Sequence, residues 1–268
     1  MTAVSSALSP GALLRQPPDG SIEAGAHLTG FGGFHGGLTL GLLTSAMQAH
    51  APGQPLRSAT ARYRRPLDGR FRIEVAPGQV GRTATMLSAT AIGPKGPHVE
   101  ASAVFGAPDA GTWPVFTPPA PNAPPPQDLE IFAIPPEFVP IAVYTEIRPV
   151  GPNRPYAGGA DPELTAWIRL VEDDEPPDIH RFTFLMDGLA PSYAAVLSTL
   201  APVPTLELTV RPGPGLATAS SPWVLLRATT TAADASGWTD ERIDAWGPNG
   251  EYLGSAQQLR MVRTAKRR

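Results

Sequence analysis

Hydrophobic positions along this chain follow two periods. In LTLGLLTSAMQAH, residues 38–50, Leu38, Leu42, Ala46 and Ala49 form one stripe, and Leu40, Leu43 and Met47 widen it. The segment is apolar nearly all round, which predicts a helix buried on every side. A glycine-rich turn, GFGGFHGG, opens it. Further on the period changes to two: Phe71, Ile73 and Val75 alternate with Arg72 and Glu74, the pattern of a half-buried strand. RSATARYRRPL, GRFRIEVAPG and RTATMLSATAIGPKGPHVEASAVFG read as strands, the last a hairpin turning at Gly93-Pro94-Lys95-Gly96.

The plan then repeats. The turn MDGLAP is expected to open a second helix, SYAAVLSTLA, with Pro191 suited to its first turn. Strands TLELTVRPG and WVLLRATTTA follow, then the hairpin RIDAWGPNGEYLGSAQQLRMV, turning at Gly247-Pro248-Asn249-Gly250. The two hairpin turns stand about 150 residues apart, as do Arg65-Pro66 and Arg211-Pro212, which suggests duplication of one supersecondary unit. Between the copies runs WPVFTPPAPNAPPPQ, with Pro at 114, 118, 119, 121, 124, 125 and 126. Such a run lacks the backbone donors that a helix or central strand needs and favours extended geometry, so it is read as a linker. The expected organisation is an N-terminal unit at 1–112, a Pro-rich linker at 113–135 and a C-terminal unit at 136–268. A sheet wrapped around one apolar helix, given twice, would lie side by side as one long sheet.

Composition narrows the function. Lys+Arg 21 against Asp+Glu 24 leaves a net charge of -3, which argues against a nucleic-acid groove or a polybasic membrane surface. Cys 0 removes disulfides, thiolate metal sites and cysteine nucleophiles. The start lacks the basic and unbroken apolar regions of a signal peptide. From Leu28 to Ala51 there is no charged side chain, but the glycines, His35, Gln48 and His50 make it a buried helix, not a membrane span. The chain is read as soluble and cytoplasmic.

No GxSxG occurs, which disfavours an α/β-hydrolase serine. The Gly30–Gly37 loop matches neither nucleotide-binding glycine motif. His27, His35, His50, His98 and His180 show no metal-ligand spacing, so no metal or cofactor is expected.

The order of helix, VPTLELTV, PWVLLRATT and IDAWGPNGEYLGSAQQLRMV resembles the second half of the thioesterase II type acyl-CoA thioesterases, and Gly36-Gly37 matches the glycine pair that opens their first buried helix. The resemblance covers roughly residues 20–110 and 140–263. It implies an α+β double hotdog, two antiparallel sheets each wrapped around a central helix, and an acyl-CoA substrate. The family holds and activates a water with an Asp, a Ser or Thr, and a Gln from the second hotdog. By position these are Asp187, before the expected second helix, Thr205 at the start of the next strand, and Gln258 on the last, with Gln257 as a one-residue rival.

Hydrolysis of a thioester needs a placed water, a base and donors for the developing oxyanion. Asp187 suits the base, and Thr205 and Gln258 suit the water. Gly36 and Gly37 offer backbone N–H groups at a helix start, with His35 beside them as a ligand contact. Counting from the two Arg-Pro pairs and the two hairpin turns sets Ala59 against Thr205 and Val104 against Gln258, so the first half lacks a polar group at both places. One site per chain follows.

Each residue also has an ordinary reading. Asp187-Gly188 is a common turn, Thr205 a common strand residue, and Gln258 alone a solvent-facing one. The acidic run 172–175 reads as a solvated loop, and Arg260, Arg263, Lys266, Arg267 and Arg268 as a frayed basic end that can at most meet coenzyme A phosphates. A non-catalytic acyl-thioester binder is the rival function. A hotdog hydratase or dehydratase fits less well, since its Asp-x-Asn-Pro-x-His signature is absent. Exposed sheet edges and the resemblance favour a homo-oligomer.

Overall fold

The computed structural model describes residues 8–15, 20–107, 111–172 and 174–264. In chain order the elements are α1 (Pro10–Arg15), β1 (Ser21–Ala24), β2 (Thr29–Gly30), β3 (Gly33–Phe34), α2 (Gly36–Gln48), β4 (Leu56–Tyr63), β5 (Gly69–Val80), β6 (Ala84–Gly93) and β7 (Gly96–Gly106). Then come β8 (Thr145–Val150), β9 (Glu163–Leu170), α3 (Ile179–Leu185), β10 (Thr205–Pro212), β11 (Val224–Ala233), β12 (Trp238–Trp246) and β13 (Tyr252–Met261). Lys266, Arg267, Arg268 and Asp173 lie outside the described residues.

Eleven of these strands form one antiparallel sheet in the order β1-β5-β6-β7-β4-β10-β13-β12-β11-β9-β8. The two halves meet where β4 pairs with β10, Leu208 opposite Ala61 and Thr209 opposite Thr60, so the units lie side by side as the one long sheet expected and not as two separate sheets. Helices α2 and α3 lie on one face of it, packed against each other. Gly37 and Gly41, one turn apart on α2, make that contact close: a Cβ on Gly37 would lie 2.8 Å from the Phe184 carbonyl oxygen, and one on Gly41 3.1 Å from that of His180. One core cluster runs through both halves, from Leu38, Leu42 and Phe105 to Phe182, Leu208 and Val224. No helix among the described residues is long and apolar enough to cross a membrane.

The second helix is not where the sequence pattern puts it. SYAAVLSTLA forms only a short 3-10 turn, Ser192–Val196, whereas the helix is the preceding Ile179–Leu185. Asp178 caps that helix by accepting from the N–H groups of His180 and Arg181, and Phe182, Phe184 and Leu185 bury themselves. The Ser192 N–H goes instead to the Glu241 carboxylate and its hydroxyl meets Thr230, which holds the 192–196 turn against the sheet. Asp187 therefore follows a helix; it does not precede one.

The proline-rich segment is a packed strap. Trp246 Nε1 donates to the Pro118 carbonyl at 3.1 Å and Trp167 Nε1 to that of Pro124 at 2.8 Å, while Ala120, Ala123 and Leu129 rest on Trp167, Leu225 and Trp246. Trp167 alternates with Ala166 and Ile168, which face the helices, so the strap covers the opposite face of the sheet. The acidic run is a loop with Asp174 and Glu175 exposed, as expected, but it also makes contacts: Glu172 accepts from Ser9 and the Gly11 N–H, tying down α1, and Glu175 pairs with Arg181 of α3.

Candidate functional site

Strand alternation decides between the two glutamines. Ala256, Gln258 and Arg260 of β13 point toward the helices and are buried, whereas Gln257 and Leu259 point outward and are exposed. Thr205 reaches the same face because β10 carries a bulge: Thr205 stands opposite Arg260, the register slips before Glu207, and Leu208 stands opposite Gln258.

These residues form a directed chain. Thr205 Oγ1 donates to Gln258 Oε1 at 2.7 Å, and Gln258 Nε2 donates to Asp187 Oδ1 at 3.1 Å. The other carboxylate oxygen of Asp187, Oδ2, accepts from the Gly37 N–H at 2.8 Å, so the N-terminus of α2 points at the carboxylate. Because the Thr205 hydroxyl hydrogen is committed to Gln258, its oxygen faces any further neighbour as an acceptor. All three sequence-predicted side chains are thus brought together.

The glycines are needed at this spot. A Cβ on Gly36 would lie 2.9 Å from Asp187 Oδ2, and one on Gly37 2.7 Å from Asp187 Cβ. Their roles divide, however. The Gly37 N–H is taken by Asp187 and is not available to a ligand, while the Gly36 N–H has no acceptor among the described residues.

His35 caps α2: its Nδ1 accepts from the Leu38 N–H at 3.3 Å, which leaves the hydrogen of the neutral ring on Nε2. The ring stacks edge-on against Phe184 and lies 3.9 Å from Asp187 Oδ2. Burial lowers its pKa from 6.5, with the Asp187 charge pulling the other way.

Two residues at this site, Tyr63 and Glu241, carry no signal in the sequence, and a third, Arg260, is expected only as part of a basic end. Tyr63 of β4 donates to the Gly36 carbonyl at 2.9 Å, fixing the start of α2, and burial pushes its phenol pKa well up. Arg260 is no frayed tail; it is buried on β13, with Nη2 3.7 Å from Asp187 Oδ1 and Nε donating to Glu241 Oε2 at 2.6 Å. Glu241 of β12 is itself buried and is held by the Ser192 N–H at 2.7 Å. The alternation of β13 already pairs Arg260 with Gln258, so that signal was legible; Tyr63 and Glu241 carry none.

The internal comparison with the first half shifts register. β4 has the matching bulge, with Leu56 opposite Phe105 and a slip before Ser58. Bulge laid on bulge, Thr205 corresponds to Leu56, not Ala59, and Gln258 to Ala103, not Val104, which lies on the other face. Both counterparts are apolar. Thr85 and Thr239 confirm the alignment: they stand opposite Phe105 and Arg260, and both hydroxyls are buried without a partner among the described residues.

Comparisons with known proteins agree with this architecture. The model for acyl-CoA thioesterase N-terminal domains matches residues 26–106, and that for acyl-CoA thioesterase C-terminal domains matches residues 114–262. Among curated proteins none matches the sequence. Among solved structures, a conserved protein with hot dog fold from Alicyclobacillus acidocaldarius, of unknown function, is similar at TM-score 0.83 and 22% identity, over 91% of this chain and 93% of that one. A structure from Thermobifida fusca, described as a candidate thioesterase II, is similar at 0.77 and 21%, over 91% and 92%. An acyl-CoA thioesterase II from Mycobacterium marinum is similar at 0.69 and 20%, over 86% and 90%.

Proposed function

The chain belongs to the acyl-CoA thioesterase family, and from that premise we propose that it hydrolyses an acyl-CoA to the free acid and coenzyme A at the Asp187 site. The observation that carries this reading is the donor chain from Thr205 through Gln258 to Asp187, set against the N-terminus of α2.

A water beside these groups has two hydrogens to place. One goes to the Asp187 carboxylate and the other to the Thr205 oxygen, which leaves a lone pair free to attack the thioester carbon. Gln258 keeps both neighbours in line. As the water oxygen bonds to carbon, Asp187 takes its proton, and the Gly36 N–H stabilises the charge developing on the carbonyl oxygen. Collapse of that adduct breaks the carbon–sulfur bond, and the thiolate recovers the proton from Asp187. Gly37 and Tyr63 act earlier, by aligning the carboxylate and the helix start; His35 lines the acyl group. The chain works in the cytoplasm as a homo-oligomer in this reading, its catalytic side chains lying within the C-terminal unit, residues 136–268.

Release of free thiol from acyl-CoAs of increasing chain length, wild type beside Asp187→Asn, tests this. Turnover that depends on acyl length and collapses in the variant is expected. Turnover unchanged in the variant discards the site, and silence over the whole series in the wild type favours an acyl-thioester binder.

A further inference from the structure

Arg260 has more donors than the protein uses. Its Nε is spent on Glu241, but among the described residues neither terminal nitrogen finds an acceptor within hydrogen-bond distance. The side chain is nevertheless only 7% exposed, as is fitting for a strand residue facing the helices, and its Nη2 stands 3.7 Å from Asp187 Oδ1. The terminal nitrogens are not among the fully buried partnerless atoms, so this end of the guanidinium keeps open surface at the site while the rest of the side chain is enclosed. Its unmatched end sits beside the group that would hold the attacking water. Glu241 is buried more deeply still and is anchored by the Ser192 N–H, so the guanidinium is held from behind by a fixed carboxylate. With the Gly37 N–H engaged by Asp187 and the Leu38 N–H by His35, the Gly36 N–H is the one left at the start of α2 without an acceptor among the described residues.

We propose that Arg260 is a catalytic residue that donates from its terminal nitrogens to the carbonyl oxygen of the bound thioester as that oxygen becomes negative. This rests on the reading of the chain as a thioester hydrolase. An oxygen attacking from Asp187 lies about 2.6–3.2 Å from the carboxylate, and an oxyanion donor must reach about 2.7–3.1 Å from the oxygen it stabilises. A donor 3.7 Å from the same carboxylate oxygen falls within that triangle. In the step itself, the water oxygen bonds to the carbonyl carbon and its proton passes to Asp187. The carbonyl π pair moves onto oxygen, where the cation meets it. When the pair returns, the carbon–sulfur bond breaks and the thiolate leaves with the proton from Asp187. Arg260 is charged throughout and exchanges no proton. It is a rigid donor, positioned before the charge arrives, which is what makes such groups effective.

The test is steady-state hydrolysis of the best acyl-CoA by wild type, Asp187→Asn, Arg260→Gln and Arg260→Lys, with thermal unfolding of each. The expected result is a loss of about 100- to 1,000-fold in kcat for Arg260→Gln with KM within about threefold, and recovery of at least about tenfold of that loss in Arg260→Lys. Should the buried Glu241 left unpaired prevent folding, the double variant Arg260→Gln with Glu241→Gln removes both charges, and the same kcat loss is expected. A kcat within about threefold of wild type in a folded Arg260 variant overturns the proposal. So does a loss carried by KM alone, or a lysine variant no better than glutamine. A wild type silent on every acyl-CoA defeats the hydrolase reading instead, and an active Asp187→Asn defeats the base assignment while leaving the arginine result to be read by itself.

Discussion

Laid bulge on bulge, the two halves of the sheet differ in polarity at four inward positions. Where the second half has Thr205, Glu241, Gln258 and Arg260, the first has Leu56, Leu87, Ala103 and Phe105. The backbone is the same at these places, down to the slipped register and the buried threonine opposite the last position. In the first half these side chains simply join the core. In the second they form a polar network that ends on Asp187, joined by hydrogen bonds from Thr205 to Gln258, Gln258 to Asp187 and Arg260 Nε to Glu241, the condition under which polar groups are tolerated below the surface. The halves thus contribute differently to the site: the first a helix start, made of His35, Gly36, Gly37 and Tyr63, and the second the polar side chains that meet it.

Substituting across the comparison breaks it to different degrees. The largest effect belongs to Asp187→Asn, expected to lower kcat by about 100- to 10,000-fold in thiol-release assays, because the proposed general base is lost while the carboxamide keeps its volume. Gln258→Ala makes the second half like the first at one position; about 100-fold loss in kcat is expected with KM little changed, since Asp187 Oδ1 loses its donor and Thr205 its acceptor. The reverse change, Ala103→Gln, gains no activity. It buries an amide among apolar neighbours and is expected to destabilise by about 1–3 kcal/mol in denaturant titration.

Gly37→Ala tests the contribution of the first half. Its Cβ would press on Asp187 Cβ at 2.7 Å and on the Phe184 carbonyl oxygen at 2.8 Å, so a stability loss of about 1–3 kcal/mol should accompany reduced kcat. The smallest effect is one of pH. Burial holds the His35 ring less basic when folded than the unfolded 6.5, with Asp187 opposing and Arg260 adding to the shift. Unfolding therefore takes up a proton, and the stability this ring contributes is complete above pH 6.5 and declines as the pH falls below it. His35→Asn, which can still cap α2, should flatten the fall of melting temperature at acid pH. Part of the slope should persist through His180, whose pKa burial also lowers.

The strand segments were largely legible because alternation is a local signal, and β13 carries it cleanly enough to separate Gln258 from Gln257 once its buried face is known. The buried helix α2 was legible for the same reason. The second helix was not: SYAAVLSTLA has helical propensity, but the Ser192 N–H is captured by Glu241 from a strand far along the chain, and no local pattern reports such a bond. The two halves cannot be aligned by counting from their hairpin turns, because the first turn closes with Gly93 opposite Gly96 and the second with Trp246 opposite Tyr252; the unequal loops move the count by one residue and select Val104, on the wrong face of β7.

From the sequence alone came the duplication, the apolar helix, the glycine pair, and the Asp, Thr and Gln types at workable positions. These are properties of spacing and residue chemistry, and they survive whatever the rest of the chain does. Only the tertiary structure could decide that Gly37 serves the carboxylate, that Tyr63 of one half holds the helix start facing the other, and that Arg260 lies buried on a Glu241 support. Each of those depends on hydrogen bonds and ion pairs between residues distant in sequence, whose strength comes from burial, and burial belongs to the packed chain.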